Sequence, residues 1–187
     1  MSILFVLLGA IVLIFIWLIS LYNQLVRLRN NRENAFADID VQLKQRHDLI
    51  PQLVEAVRGY MKHEEGVLTK VTEARTRAIK ATNIDDKIAA EQALSSAMGG
   101  LNVAVEAYPE LKANTNFLQL QEEMSDIENK LAAVRRYFNS ATKELNNSVQ
   151  MFPSNIVAGM FGFKKEVFFD LGAEQRDNLD TPPEVKF

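Results

Sequence analysis

The feature that most constrains the fold is a run of 20 residues without a charged side chain, from Ile3 to Tyr22. At about 1.5 Å of rise per residue, a helix of this length spans about 30 Å, the thickness of the hydrocarbon core of a bilayer. Trp17 and Tyr22 lie in its second half, where aromatic side chains anchor a span at the membrane surface. A cleaved signal peptide would have a basic start, a shorter apolar run and a small-residue cleavage site, and this sequence has none of them. The run therefore predicts a retained transmembrane anchor over residues 1–22.

The charged residues that flank this run predict its orientation. No basic residue precedes it, whereas Arg27, Arg29 and Arg32 follow it closely, and Lys44 and Arg46 come next. Because Lys and Arg are enriched on the cytoplasmic side of membrane spans, the chain is predicted to cross the membrane once. The N-terminus is then expected outside, and everything from about residue 23 in the cytoplasm.

Composition excludes several classes of protein. The net charge of −3 and the pI of about 5.5 disfavour a nucleic-acid-binding protein, which would present a basic face. The chain has no cysteine, so a disulfide framework, a thiolate nucleophile and a cysteine metal site are all excluded. Only 8 glycines and 5 prolines occur among 187 residues, which favours a helix-rich protein.

Apolar residues at alternating steps of three and four predict an all-α fold, in which the span is followed by an elongated antiparallel up-and-down bundle of three to four long helices. The bundle is assigned to residues 23–153, with helices at about 23–81, 85–107 and 115–152. Pro51 falls inside the first helix, but the apolar seam keeps its phase across it, which indicates a kink in one continuous helix. The alternative is a new helix capped by Asp48, with Pro51 in its first turn.

After Pro153 the chain becomes apolar and rich in phenylalanine over residues 154–171, and residues 172–187 are predicted to be a mobile polar tail. The Phe-rich segment is expected to pack on the bundle, and the alternative is contact with a membrane surface beside Lys164 and Lys165. The candidate residues for this bundle or membrane contact are Ile156, Met160, Phe161, Phe163, Phe168 and Phe169.

A mismatch in helix length suggests an interaction surface. A continuous helix from residue 36 to 81 would be about 69 Å long, whereas the second predicted helix covers only about 36 Å. The apolar stripe nearest the membrane would then lack a partner from the second and third helices, and exposed apolar stripes mark interaction sites. The alternatives are that the Phe-rich segment or another subunit covers the stripe, or that a bend near Gly59 or Gly66 removes the mismatch. The candidate partner surface comprises Phe36, Ile39, Leu43, Arg46, His47, Asp48, Pro51 and Glu55.

The Arg-His-Asp run at residues 46–48 is the best candidate for chemistry, and the case for it is weak. Neighbouring residues on a helix diverge by about 100°, so His47 and Asp48 do not face each other as a catalytic pair would. The only other histidine, His63, would lie about 24 Å away on the same helix, too far for a shared metal ion. We therefore predict no enzymatic activity, no cofactor and no metal. Arg46 itself occupies a seam position, where it either pairs with a facing acid or extends past the seam to water.

Four stretches give the chain a family resemblance: YNQLVRLRN at 22–30, NAFADIDVQLKQRHDLIPQLVEAVRGYMKHE at 34–64, FPSNIVAGMFGF at 152–163 and PEVKF at 183–187. Together they resemble the LemA family of bacteria over essentially the whole chain. The resemblance implies a membrane anchor, a cytoplasmic helical bundle with coiled-coil-like seams, and no known enzymatic activity. The anchor, the heptad seams, the uncovered stripe and the lack of a catalytic set favour a single-pass scaffold in the bacterial inner membrane that docks proteins, with an unidentified protein partner. The alternative is a homo-oligomeric protein of membrane shaping or biogenesis.

Overall fold

The computed structural model describes residues 2–61 and 63–169 of the chain, and these residues form helices and loops without a strand. The all-α prediction is confirmed for this part of the chain. In chain order the helices are α1 (Ser2–Arg58), α2 (Glu65–Lys80), α3 (Ile84–Val105), α4 (Pro109–Lys112), α5 (Thr115–Gln150) and α6 (Ser154–Met160). The predicted tail at 172–187 lies outside the described residues.

Helix α1 runs without interruption through Pro51, so the alternative of a new helix starting near Asp48 is wrong. The predicted first helix at 23–81 is also wrong, because α1 ends at Arg58 and α2 begins only at Glu65. Glycine lowers helix stability by about 1 kcal/mol, and Gly59 follows the last residue of α1 directly. The amide groups of Tyr60 and Met61 then both donate to the Val57 carbonyl, each at 3.0 Å, and close the helix end.

Side-chain caps set the starts of α3 and α5. The side-chain oxygen of Asn83 accepts the Asp86 amide hydrogen at 2.8 Å and so caps the N-terminus of α3. Asn114 does the same for the Phe117 amide at 3.1 Å. Pro109 starts the short α4, because the first position of a helix tolerates proline.

The chain divides into two compact units, to both of which α1 and α5 contribute. The first contains residues 2–40 and 133–168, and the second contains the described residues of 41–132 together with Phe169. The core of the second unit is built from the apolar faces of α1, α2, α3, α4 and α5. Its most buried members include Ile50, Leu53, Val57, Met61, Val71, Leu94, Leu101, Leu111 and Phe117.

The first unit contains the apolar run and the C-terminal segment. Its α6 buries Val157 and Ala158 against Leu25 of α1, with Leu18, Leu21, Tyr22, Val149 and Phe163 packed around them. Gly162 ends α6 in the left-handed conformation, with φ of 74°, which costs glycine little. The Phe163 amide can therefore donate back to the Ala158 carbonyl at 2.9 Å, an arrangement typical of helix C-termini.

Candidate functional site

The Arg46 guanidinium lies at the centre of a buried charge cluster in the second unit. Its side chain on α1 is almost fully enclosed, at 1% exposure. One terminal nitrogen donates to Glu91 Oε2 of α3 at 2.9 Å, and the other contacts Glu128 Oε1 of α5 at 2.9 Å and Ser95 Oγ at 3.0 Å. Of the two readings of this seam arginine, pairing with a facing acid is therefore confirmed, and extension to water is wrong.

His47 completes the cluster through the same glutamate. Its Nε2 lies 2.6 Å from Glu91 Oε1, so each carboxylate oxygen of Glu91 has its own partner on α1. The backbone carbonyl of His47 accepts a hydrogen bond from Arg75 Nε of α2 at 2.6 Å. Glu91 is only 2% exposed. Charge-assisted hydrogen bonds of this kind are about twice as strong as neutral ones, and here they join four helices.

The cluster connects helices to one another and lacks the arrangement of an acid–base site. Asp48 points away from His47 into solvent, where it pairs with Lys44 at 3.0 Å. The His47 ring nitrogen nearest a carboxylate is occupied by Glu91, which in turn is held by Arg46. Among residues 2–61 and 63–169, no group of three or more His, Cys, Asp or Glu side chains is placed to hold a metal ion.

The structure corrects half of the candidate partner surface. Ile39, Leu43, Arg46 and His47 are buried, and the ring of Phe36 is half-buried against Phe138 at 5.6 Å between centroids. The expectation that the second and third helices leave the stripe uncovered is wrong at Phe36, which meets Phe138 of α5. Helix α5 extends to Gln150, and its C-terminal half lies in the first unit with residues 2–40.

Three of the predicted surface residues remain exposed. They are Asp48, Pro51 and Glu55, which recur at steps of three and four and therefore share one face of α1. Glu55 pairs with Arg58 at 3.3 Å on the same face. This exposed face of Asp48, Pro51 and Glu55 is the part of the predicted surface that a partner can reach, and its role in docking stays a prediction.

The six residues predicted to contact bundle or membrane divide into two groups. Phe169 is buried and Phe163 half-buried, and the Phe163 ring lies 6.1 Å from that of Tyr22. Ile156, Met160, Phe161 and Phe168 are exposed. Phe161 nevertheless contacts Tyr22, with a centroid distance of 4.6 Å, so one of its edges packs while the rest of the ring faces outward.

The C-terminal segment is also held by polar contacts that the sequence did not reveal. Arg32 is buried, donates to Thr142 Oγ1 at 3.2 Å and to the Val167 carbonyl at 3.3 Å, and pairs with Glu166 at 3.2 Å. Asn146 makes two hydrogen bonds to the backbone of Glu166. The Asn146 side-chain NH2 group donates to the Glu166 carbonyl at 2.9 Å, and the Asn146 side-chain oxygen accepts the Glu166 backbone amide hydrogen at 2.8 Å. A usable signal was the pair Thr142 and Asn146, polar residues at i and i+4 within the α5 seam.

Comparison with known proteins places this architecture in a family. The model of the LemA family matches residues 35–187. The chain belongs to the LemA family. It is similar to "Protein LemA" of Metamycoplasma hominis, with 30% identity over 163 residues, which cover 85% of this chain and 73% of the relative.

More distant family relatives carry a different name. The chain is 20% identical over 191 residues to "Magnetosome protein MamQ 2" of Paramagnetospirillum magneticum, covering 88% of this chain and 69% of the relative. It is 19% identical, with the same coverage, to "Magnetosome protein MamQ" of Magnetospirillum gryphiswaldense. Both alignments extend over most of this LemA chain.

Helix α1 contains the one segment in the described residues that is long and apolar enough to cross a membrane. None of its most apolar window is buried inside the protein, as a lipid-facing span requires. Together with membership of the LemA family, this helix suggests single-pass membrane anchoring of a non-enzymatic protein.

Proposed function

We propose that this chain is a single-pass scaffold of the bacterial inner membrane that docks proteins at the cytoplasmic face. The supporting observation is that one uninterrupted helix, α1, carries both the exposed apolar span and the buried seam of the helical units. The element that anchors the chain is therefore the element on which the other helices pack. The basic residues after the span favour the cytoplasmic location of those units.

The charge cluster supports a non-enzymatic role. Catalysis needs a titratable group free to exchange a proton with a bound substrate. The ionic groups of Arg46 and Glu91 are turned toward each other and almost fully buried. The outward face of α1 at Asp48, Pro51 and Glu55 is instead open, with its charged side chains paired only along the helix surface. Such a face suits recognition of another protein.

In-cell photo-crosslinking tests the docking role. A photoreactive amino acid placed at Glu55 should yield adducts with at least one other protein, identified by mass spectrometry. The matched control is the same amino acid at Asp126, an exposed acid of α5 that pairs along its own helix with Lys130 as Glu55 does with Arg58. Adducts from Glu55 that are absent from Asp126 support the proposal. The absence of any specific adduct at Asp48 and Glu55 contradicts docking at this face.

A homo-oligomeric membrane-shaping role is the second candidate, and the exposed apolar side chains around α6 favour it. Among them are Met151, Phe152 and Met160, and two relatives are named magnetosome proteins. If neighbouring copies cover these side chains, the detergent-purified full chain should be larger than a monomer in light-scattering mass measurements. A monomer in detergent, together with no crosslinks between copies of the chain in cells, would contradict this second candidate function.

A further inference from the structure

The first unit carries a group of exposed apolar side chains around α6, the last helix of the chain that the structure describes. We call these residues the α6 patch: Met151, Phe152, Ile156, Met160 and Phe161. Phe152 is 79% exposed and Met160 is 71% exposed. A cluster of large apolar side chains with this exposure is unusual on a protein surface that faces only water, and it marks a contact with a partner or a membrane.

The local fold keeps the α6 patch outward. Val157 and Ala158 use the inner face of α6 for the contact with Leu25. The Gly162 turn then brings Phe163 back onto the same inner face. Because the inner face of this single short helix is already filled, the exposed side chains cannot turn inward without displacing it. The α6 patch is therefore a fixed outer surface of the first unit.

The inner face of α6 packs at the end of the candidate span. Val157 and Ala158 form one cluster with Leu25 of α1, against which Leu18, Leu21 and Tyr22 of the uncharged run also pack, and the Tyr22 ring contacts that of Phe161 at 4.6 Å between centroids. The four α1 residues cover about 11 Å along the helix axis. The polar layer on each side of a bilayer's hydrocarbon core is about 5–8 Å thick. A span that places Ile3–Tyr22 in the core thus puts α6 at the boundary between acyl chains and headgroups.

Positive charge accompanies the apolar side chains at this level. Arg27, Arg29, Lys164 and Lys165 are all exposed. The Arg29 guanidinium lies 5.4 Å from the centre of the Phe163 ring, and Lys164 and Lys165 directly follow Phe163 in the chain. The nearest acids are Glu33, which lies 3.9 Å from Arg29 on the exposed surface of α1, and Glu166, which pairs with the buried Arg32, so Arg27, Lys164 and Lys165 add to the positive charge at this level. Apolar side chains beside Lys and Arg are typical of helices that lie in the interface of an anionic membrane.

We propose that the α6 patch inserts into the leaflet from which α1 emerges, with these four cations on anionic headgroups. The lipid surface fits better than a second protein because the patch is continuous with lipid-facing residues of the same unit and lies at their level. The inference rests on the membrane anchoring in the proposed function. Its test must therefore distinguish loss of the patch contact from loss of the anchor.

The absence of cysteine makes a labelling test possible on the full chain. Single variants Met160→Cys, Ile11→Cys and Val103→Cys would each carry one nitroxide spin label. The chain would be reconstituted at one copy per nanodisc, in phosphatidylcholine with or without phosphatidylglycerol. Val103 is the matched control, because it is apolar and 69% exposed but belongs to the second unit. Ile11, in the middle of the uncharged run, reports on the anchor.

With phosphatidylglycerol present, the Met160 label should collide with oxygen and be several-fold less accessible to a water-soluble nickel chelate than the Val103 label. Without it, the Met160 label should become more accessible to nickel, because the cations lose their anionic partners. Equal nickel accessibility at Met160 and Val103, with Ile11 protected, would overturn the insertion and leave the anchor intact. Nickel access at Ile11 would overturn both. Protection of the Met160 label from oxygen as well as nickel would show that protein covers the α6 patch, and would also overturn the proposed insertion into lipid.

Discussion

Arg46 is a charged side chain in an apolar seam, and its buried ion pairs influence which helix faces pack together. Removing a guanidinium and a carboxylate from water carries a penalty of several kcal/mol for each ion, which mutual attraction and hydrogen bonds must offset. Here Glu91 meets Arg46 with one oxygen and His47 with the other, while Glu128 and Ser95 bind the second guanidinium nitrogen. The cluster therefore selects which faces of α1, α3 and α5 meet, a specificity that apolar contacts alone provide less sharply.

Replacement of Arg46 by leucine should destabilise the protein by about 3–5 kcal/mol, because it leaves the Glu91 carboxylate buried without its cation. The measurement is urea unfolding of the full chain in detergent, followed by circular dichroism. The matched control is Lys44→Leu, which removes an exposed pair with Asp48 and should cost at most about 1 kcal/mol.

A second variant separates charge pairing from packing. The double substitution Arg46→Leu with Glu91→Leu removes the unpaired carboxylate, so it should recover part of the stability lost in Arg46→Leu. The pairing explanation is contradicted if Arg46→Leu is as mild as Lys44→Leu, or if the double variant loses the sum of the two single losses.

At the scale of elements, regular helices and the C-terminal segment are stabilised by different means. Helix α1 tolerates Pro51, at a cost of about 3 kcal/mol inside a helix, because its neighbours Ile50 and Leu53 are buried in the core of the second unit. Residues 163–169 follow α6 without forming a helix, so no run of helical hydrogen bonds holds them. Side chains of Arg32 and Asn146 bind this segment instead.

Substitution of Asn146 by alanine should release the segment, because it removes both hydrogen bonds to the Glu166 backbone. We expect faster amide hydrogen exchange in the peptide that covers residues 164–168, measured by mass spectrometry on the full chain. The adjacent Asn147 is exposed and provides the matched control. Equal exchange in Asn146→Ala and Asn147→Ala would mean that Asn146 is not what holds the segment.

At the scale of the whole molecule, the proposed function depends on which side of the membrane the helical units occupy. All basic residues near the span follow it, and the first of them is Arg27. The positive-inside rule favours the cytoplasmic side for the units, as the proposed function requires. Docking of cytoplasmic proteins requires this orientation, whereas insertion of the α6 patch into the leaflet from which α1 emerges does not.

Cysteine labelling in cells tests the orientation. A membrane-impermeant maleimide should label Ser2→Cys in cells whose outer membrane alone has been opened. It should label Val103→Cys only after the inner membrane is also permeabilised. Labelling of Val103→Cys in cells with an intact inner membrane would reverse the orientation and remove the cytoplasmic docking role.

The sequence by itself determined the features that depend on local spacing. An uncharged run of 20 residues is a candidate span wherever it occurs, and apolar residues at steps of three and four indicate helices whatever they pack against. Asn83 could be recognised as an N-cap because its hydrogen-bond partner is only three residues away. The family resemblance likewise rested on short contiguous motifs.

Tertiary structure alone decided which residues are partners. Arg46 and Glu91 are 45 residues apart, and Arg32 and Glu166 are farther apart still, so no local pattern connects them. The same applies to Phe36, whose ring lies against Phe138, a residue far along the chain on α5. Periodicity shows that a side chain has an apolar face to bury, but only the packing of remote helices determines whether that face meets protein, lipid or water.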